Sequence, residues 1–407
     1  MAISKVTIVG AGPSGLLLAI MLAKQHIGVQ VLDAGTEPDK NPRAAHYAPS
    51  AVYDFARAGV INEINAEGFH PDAVCWREAD GTFLAGMKRA ENIDHPMVVL
   101  PLDRLGPLLC RHLQKNCPTA EILWSHKVIG IEQDETEARV QVETPDGVKM
   151  YSGDYVIGAD GANSQIRRSL FGNNYPGETL NAQIIATNVY LDFKEKFGFW
   201  DSNFIVHPTN WYMAARITND GLWRVTYGDI PGLSNEDYLE RQPQRYEEIL
   251  PGHPKPGEYK LVSASPYKLQ QRCAEKFRVG RFLLMADAAH LCNPFGGMGL
   301  TGGFADVGSL YDCLVGIHDG LADESILDKY SNIRQRIWRE MIDPISRANF
   351  HRLWDEGAIG EREKFFALCN KAWKDENLNR ELTMGIHAVR HDFTQYYNKS
   401  DGIKAAV

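Results

Sequence analysis

The chain has 407 residues, of which 44% are hydrophobic and 23% charged, with a formal net charge of −9. That length exceeds one simple core and suits two interlocked domains, and the composition excludes a disordered or fibrous protein. The acidic balance, with no polybasic tract, argues against nucleic acid or an anionic membrane surface as the main partner.

Seven cysteines (Cys75, Cys110, Cys117, Cys273, Cys292, Cys313 and Cys369) are scattered, odd in number and never spaced as C-x-x-C. Neither a disulfide framework nor a metal site is expected, and a reducing, cytoplasmic compartment fits. The apolar run from Val6 to Ile27 is broken by Gly10, Gly12, Pro13 and Gly15 and carries Lys24 and His26. A membrane span needs about 20 unbroken apolar residues. A signal peptide needs a basic start and a small-residue cleavage site, and neither is found here.

Ile3 to Val9 reads as a strand buried on both faces, and Leu16 to Lys24 as an apolar helix. Between them stands Gly10-Ala11-Gly12-Pro13-Ser14-Gly15, and a second strand, Val29 to Leu32, ends at Asp33. Strand, G-x-G-x-x-G, helix, strand and acid in that order form a dinucleotide-binding fingerprint. The glycines permit a tight turn and close approach to a pyrophosphate, the helix start offers free N–H groups, and Asp33 can accept from a ribose hydroxyl. The loop alone does not separate FAD from NAD.

Two later segments narrow the choice. Tyr155 to Gly158 is a strand running into Ala159-Asp160-Gly161-Ala162-Asn163-Ser164, with Arg167 and Arg168 beyond. Arg281 to Ala286 is another strand, closing on Asp287. It leads through Asn293-Pro294-Phe295-Gly296-Gly297-Met298-Gly299-Leu300-Thr301-Gly302-Gly303 into a helix expected to begin near Leu300.

With these residues in view, the chain resembles the flavoprotein aromatic hydroxylases, the group that includes 4-hydroxybenzoate and salicylate hydroxylases. That family carries an N-terminal G-x-G-x-x-G, a central D-G and a C-terminal G-D followed by proline and a glycine-rich stretch. The resemblance spans roughly residues 1 to 315. It implies that Gly10, Gly12, Ser14, Gly15 and Asp33 hold the FAD pyrophosphate and adenosine ribose, with Arg43 and Arg104 as further cofactor contacts. Asp160 with Gly161 would serve FAD and the nicotinamide, and Asp287 the flavin-side ribose. Pro294, Gly299, Leu300 and Thr301 would lie against the isoalloxazine, with Pro294 at the reaction centre. Two positions depart from the pattern: Ala286 replaces the glycine of the G-D pair, and Asp33 stands where glutamate is commoner.

The implied fold class is α/β: a FAD-binding, Rossmann-like dinucleotide fold with an inserted antiparallel β-sheet substrate domain and a helical C-terminus. The expected division is 1–73, 101–175 and 277–320 for the FAD domain. Residues 74–100 would be a hairpin joining the substrate sheet, 176–276 that sheet, and 321–407 a helical region. The implied reaction is NADPH- or NADH-dependent hydroxylation of an aromatic, within that class phenolic, small molecule with O₂, through a flavin C4a-hydroperoxide. A polyketide- or alkaloid-like substrate, or a flavin-fold reductase or isomerase that oxygenates nothing, stays open. The missing Trp-x-Trp-x-Ile-Pro stretch disfavours a halogenase. A homodimer stays open as the assembly.

Between the D-G and G-D motifs, Ile184 to Leu191, Phe204 to His207, Trp211 to Ile217 and Leu222 to Asp229 are β-rich, the last two reading as a hairpin. Alternation puts Tyr212 and Arg216 on one face, with Arg224 opposite them, as the expected substrate and catalytic groups. Trp211, Met213, Trp223, Val225 and Tyr227 take the other face. His207 reads as a strand-end residue, and His290 as packing behind the flavin.

Ser325 to Trp338 and Arg352 to Trp373 carry helical spacing. With Val407 as its last residue, the chain is expected to lack the further domain of phenol-hydroxylase-like relatives and to match the shorter hydroxylases. Asn398-Lys399-Ser400 fits a glycosylation pattern for which a cytosolic protein has no use.

Overall fold

A computed structural model describes residues 2–398, so Lys399 and Ser400 of the glycosylation pattern lie outside the described residues. Alternating short β-branched runs and apolar helices build a six-stranded sheet. Its order is Arg278–Val279, Phe282–Leu284, Tyr155–Gly158, Lys5–Val9, Gly28–Leu32, Ala120–Leu123. All neighbours are parallel except the short Arg278–Val279 edge strand. Lys5–Val9 sits near the centre, and four of its five side chains are buried, as expected for a strand covered on both faces. The Pro13–Ala23 helix is buried almost all round between this sheet and the long Met298–His318 helix. That explains why its sequence is apolar without a polar face.

The second layer is an eight-stranded sheet. From one edge it runs His290–Leu291, Lys260–Cys273, Gly177–Tyr190, Leu222–Asp229, Tyr212–Arg216, Ser202–Val206, Ala73–Glu78, Phe83–Lys88. The hairpin of the last two strands pairs in parallel with Ser202–Val206, joining an early segment to a late one. One face of this sheet is covered by the Asn235–Ile249 helix, which contributes Tyr238, Tyr246 and Ile249 to a core with Tyr212, Trp223, Val225 and Tyr227. The other face looks toward the half built on the six-stranded sheet and toward the Asp343–Trp354 and Ile359–Ala372 helices.

Three elements lie outside the expectations from sequence. A three-stranded antiparallel meander, Lys127–Gln133, Ala138–Thr144 and Gly147–Gly153, flanks the six-stranded sheet. The 14-residue Lys260–Cys273 strand lies beside Gly177–Tyr190. The Asn235–Ile249 helix holds Pro243 in its interior, which masks its periodicity. Its start was legible in Ser234-x-x-Asp237: the Ser234 hydroxyl accepts from the Asp237 N–H, and the Asp237 carboxylate accepts from the Ser234 N–H. No helix among the described residues is long and apolar enough to cross a membrane.

Candidate active site

The glycine turn closes on itself by steric necessity. Gly10 has φ +110°, and a Cβ there would overlap the Ala159 carbonyl; a Cβ on Gly15 would overlap the Gly10 carbonyl oxygen. At Gly12 the same test meets nothing within 4 Å. Glycine is thus needed at two positions by the protein's own packing, and at the third the turn faces open space. Asp33 accepts the Ala11 N–H at 2.6 Å and the Gly35 N–H at 2.7 Å, which holds its carboxylate beside the turn. Gly12 caps the Pro13–Ala23 helix without any side-chain partner, so the first N–H groups, Ser14 included, stay available to an anion.

The D-G segment lies against the same turn. Asp160 Oδ2 accepts the Gln165 and Ile166 N–H groups at 2.6 and 3.2 Å, while Oδ1 is buried and has no partner. Burial raises its carboxyl above the usual carboxylate range. Arg167, quoted in the motif but given no role there, ties the two motifs together. It donates to the Ala162 and Ala288 carbonyls at 2.7 and 3.0 Å and lies 3.6 Å over the Tyr175 ring.

Ala286 occupies the left-handed region at φ +51°. A buried cluster holds it: Asp306 accepts the Ala286 N–H at 2.9 Å and meets His290 Nε2 at 2.7 Å and Arg334 Nε at 2.6 Å. His290 therefore packs beneath the turn. A left-handed alanine costs roughly 1–2 kcal/mol, partly offset by the freedom glycine adds to the unfolded chain. Ala286→Gly should be neutral or stabilising by up to about 1 kcal/mol in equilibrium denaturation, and Ala286→Val clearly destabilising. A glycine variant less stable than the parent would contradict the strain.

Asp287 is open on one side, and burial on its others raises its carboxyl; the opposing charges of His290 and Arg43 act against that rise. Arg43 is itself exposed and paired with Asp39 at 3.1 Å. Arg104 stands in the first turn of the Leu102–Asn116 helix, 3.7 Å from Asp220. The Gly296-Gly297 turn, φ +88° and +67°, feeds the Met298–His318 helix, whose N-terminus carries Gly299, Leu300 and Thr301 and has no side-chain cap.

A cavity of about 420 Å³ separates this turn from the eight-stranded sheet. Pro294, Gly297, Leu300 and Thr301 form its floor; Trp76, Phe204 and Met213 from the sheet and Phe365 form apolar wall. Its cations are Lys88, Arg89, Arg224 and Arg352, and among the described residues no aspartate or glutamate lines it. In a chain with net charge −9, that local excess of positive charge favours an anionic ligand.

The strand register corrects the expected hairpin faces. Arg224 pairs with Ala215, Tyr212 with Tyr227 and Arg216 with Trp223. Arg224 therefore shares its face with Met213, Ala215 and Thr226, all of which line the cavity. Tyr212 and Arg216 share the opposite face with Trp223, Val225 and Tyr227. Tyr212 is buried under the Asn235–Ile249 helix, and Arg216 donates to the Thr218 and Asn219 carbonyls at 3.0 and 3.2 Å and lies 4.6 Å over Phe69. Trp211 belongs with Met213 on the cavity side, packed on Phe295 and Phe350. His207 Nδ1 accepts the Thr209 and Asn210 N–H groups at 3.1 and 2.9 Å, a loop cap.

Arg224 is fixed by Asn188 Oδ1 at 3.2 Å and by the Pro42 carbonyl, and no carboxylate pairs with it among the described residues. Around it stand two residues that no motif or spacing singles out. Tyr267 comes from the Lys260–Cys273 strand, and burial pushes its phenol up to about 12. His46 lies 3.3 Å from the Ser202 hydroxyl, and burial pushes its imidazole down to about 4, opposed by Asp201 and reinforced by Arg224. Both groups stay neutral near pH 7, so the positive charge here belongs to Arg224.

The model of the FAD binding domain family matches residues 4–344. The chain is 32% identical over 388 residues to para-nitrophenol 4-monooxygenase of Pseudomonas sp. strain WBC-3, covering 94% of this chain and 95% of that enzyme. It is 35% identical over 357 residues to 6-hydroxy-3-succinoylpyridine 3-monooxygenase of Pseudomonas putida, covering 86% and 89%. The crystal structure of p-nitrophenol 4-monooxygenase from Pseudomonas putida DLL-E4 superposes with a TM-score of 0.89 at 32% identity, over 96% of this chain and 99% of that one.

Proposed function

The chain belongs to the FAD-binding-domain family of flavoprotein aromatic monooxygenases, and we propose that it hydroxylates a phenolic small molecule, held as phenolate by Arg224, with NADPH or NADH as reductant. FAD fits the residues present: Gly12 borders open space, Asp160 Oδ1 is buried without a partner, and the Pro13–Ala23 and Met298–His318 helices start without a side-chain cap. Gly10, Gly12, Ser14, Gly15 and Asp33 would hold its pyrophosphate and ribose, assisted by Arg43, Arg104, Asp160 and Asp287, with Pro294, Gly299, Leu300 and Thr301 along its ring. Bound there, FAD would supply the redox chemistry: acceptance of a hydride from the nicotinamide and, with O₂, an electrophilic oxygen atom.

The observation that carries the substrate reading is the unpaired Arg224 guanidinium in a cavity wall without carboxylates. A cation beside a phenol favours the phenolate, whose ring is the more electron-rich partner for oxygen attack. Tyr267 is a neutral hydroxyl donor to the same oxygen, and His46 a neutral hydrogen-bond partner. Trp76, Phe204 and Met213 exclude water and clamp the ring. The relatives named for a nitrophenol and a hydroxypyridine share a hydroxylated aromatic ring with this reading.

The same reading gives residues 74–100 and 176–276 to the substrate side and 1–73, 101–175 and 277–320 to the FAD side, supported by the pairing of Ala73–Glu78 with Ser202–Val206. Seven unpaired cysteines support a reducing, cytoplasmic setting.

The test is direct. The purified protein should be yellow with about one FAD per chain, and phenols should accelerate NAD(P)H oxidation with O₂ uptake and yield a ring-hydroxylated product. Tight flavin binding without any phenol-dependent O₂ uptake would leave a flavoprotein of another activity.

A further inference from the structure

Of the three arginines that line the cavity, Arg89, Arg224 and Arg352, the phenol reading uses only Arg224, and Arg352 is the one built into a helix behind it. Arg352 lies in the last turn of the Asp343–Trp354 helix and lines the cavity. It donates to Asn349 Oδ1 at 2.6 Å and lies 3.6 Å over the Phe365 ring, and no carboxylate pairs with it among the described residues. Burial, with the neighbouring Arg362 charge, draws its pKa down to about 10. A half-buried cation without a counter-charge is costly unless something else supplies one.

Its placement is fixed from the Phe295-Gly296 turn. Asn349, which orients it, donates to the Phe295 carbonyl at 3.4 Å and fills the space a Cβ would take at Gly296. Phe365 sets its other side, standing edge-on to Trp76 with ring centroids 5.0 Å apart. Trp76 belongs to the Ala73–Glu78 strand, three strands from the Leu222–Asp229 strand that carries Arg224. At about 4.8 Å per strand that is roughly 14 Å between backbones. Arg352 thus enters the cavity wall from a helix beside Phe365, and Arg224 from the Leu222–Asp229 strand.

We propose that Arg352 is a specificity-determining residue that binds a planar two-oxygen substituent, a carboxylate or a nitro group, at the end of the substrate away from the phenolic oxygen. This rests on the phenol reading above and adds the second half of the substrate: a phenol carrying an acidic or acceptor group across the ring. The guanidinium fork matches a planar pair of oxygens with two parallel N–H bonds, which an ammonium would not. The apolar residues between the two cations take the ring.

The experiment uses the FAD-loaded protein and reads binding from the perturbation of the flavin visible spectrum, with three probes: 3-(4-hydroxyphenyl)propionate, 4-nitrophenol and 4-methylphenol. Arg352→Met should weaken the carboxylate probe, the nitro probe or both about ten- to a hundredfold, and leave 4-methylphenol within about twofold. The arm that responds identifies the group. Arg352→Lys should recover only part of the loss.

Unchanged affinity for both substituted phenols would overturn the proposal, and so would an equal loss for all three probes, which would mean a structural role. Affinity for 4-methylphenol that does not respond to Arg224→Met would instead overturn the phenol reading. Retained flavin in each variant separates these outcomes from misfolding.

Discussion

Gly12→Val should abolish FAD retention while leaving the apoprotein as stable as the parent to within about 1 kcal/mol. Nothing lies within 4 Å of a Cβ at this position, and the backbone there is extended, φ −69° and ψ 169°, a conformation valine accepts. The side chain would project into the space before an uncapped helix N-terminus, where the proposed FAD site brings the pyrophosphate close to the backbone. The expected loss is at least about a hundredfold in FAD affinity, since two or more charge-assisted N–H contacts are blocked together.

Gly15→Ala is the contrasting variant. Its Cβ would overlap the Gly10 carbonyl oxygen, so it should lose FAD and also about 1–3 kcal/mol of stability, the usual cost of overpacking. Flavin content after purification and a denaturation curve of each apoprotein decide the matter. A Gly12→Val protein that purified with stoichiometric FAD would remove this turn from the cofactor site.

The difference between these two glycines marks what the sequence makes legible. A turn of backbone alone is specified locally, so the spacing of Gly10, Gly12 and Gly15 with Asp33 fixes strand, turn, helix and acid within one short stretch. The substrate face is not specified in that way. Alternation along Tyr212–Arg216 divides the residues into two faces but does not say which face meets the cavity. Both faces are covered, one by a helix whose pattern Pro243 interrupts. An arginine on either face reads alike until the register pairs Arg224 with Ala215. His46, Tyr267 and Arg352 come from distant segments and meet only at the cavity, so no spacing announces them. Ala286 is a different case: its departure from glycine was visible in the chain. Its left-handed φ and the Asp306 contact that holds it needed the structure.

Arg224→Met should lower kcat/KM for a phenol by about ten- to a hundredfold, corresponding to roughly 1.5–3 kcal/mol for a lost charge-assisted hydrogen bond. Arg216→Met should leave kcat/KM within about twofold. The two arginines stand on adjacent strands but act on opposite sides of the sheet. Arg224 enters the cavity wall held by Asn188 and the Pro42 carbonyl. Arg216 satisfies the Thr218 and Asn219 carbonyls in its own turn, so its loss should appear as about 1–2 kcal/mol of stability instead. Arg224→Lys should recover little, because Asn188 and Pro42 orient a planar fork that an ammonium cannot reproduce.

Coupling gives the sharper reading. Without Arg224 the ring is less often phenolate and less well placed, so more of the NAD(P)H consumed should end as hydrogen peroxide rather than hydroxylated product. The pH dependence should move with it: on the proposed reading Arg224 holds the substrate as phenolate, so the variant should need a higher pH to reach the same ionised fraction of substrate. Peroxide yield per NAD(P)H, flavin content and kcat/KM across pH 6 to about 9 measure all three. Parent-like coupling in Arg224→Met, together with uncoupling in Arg216→Met, would return the substrate to the opposite face of the sheet.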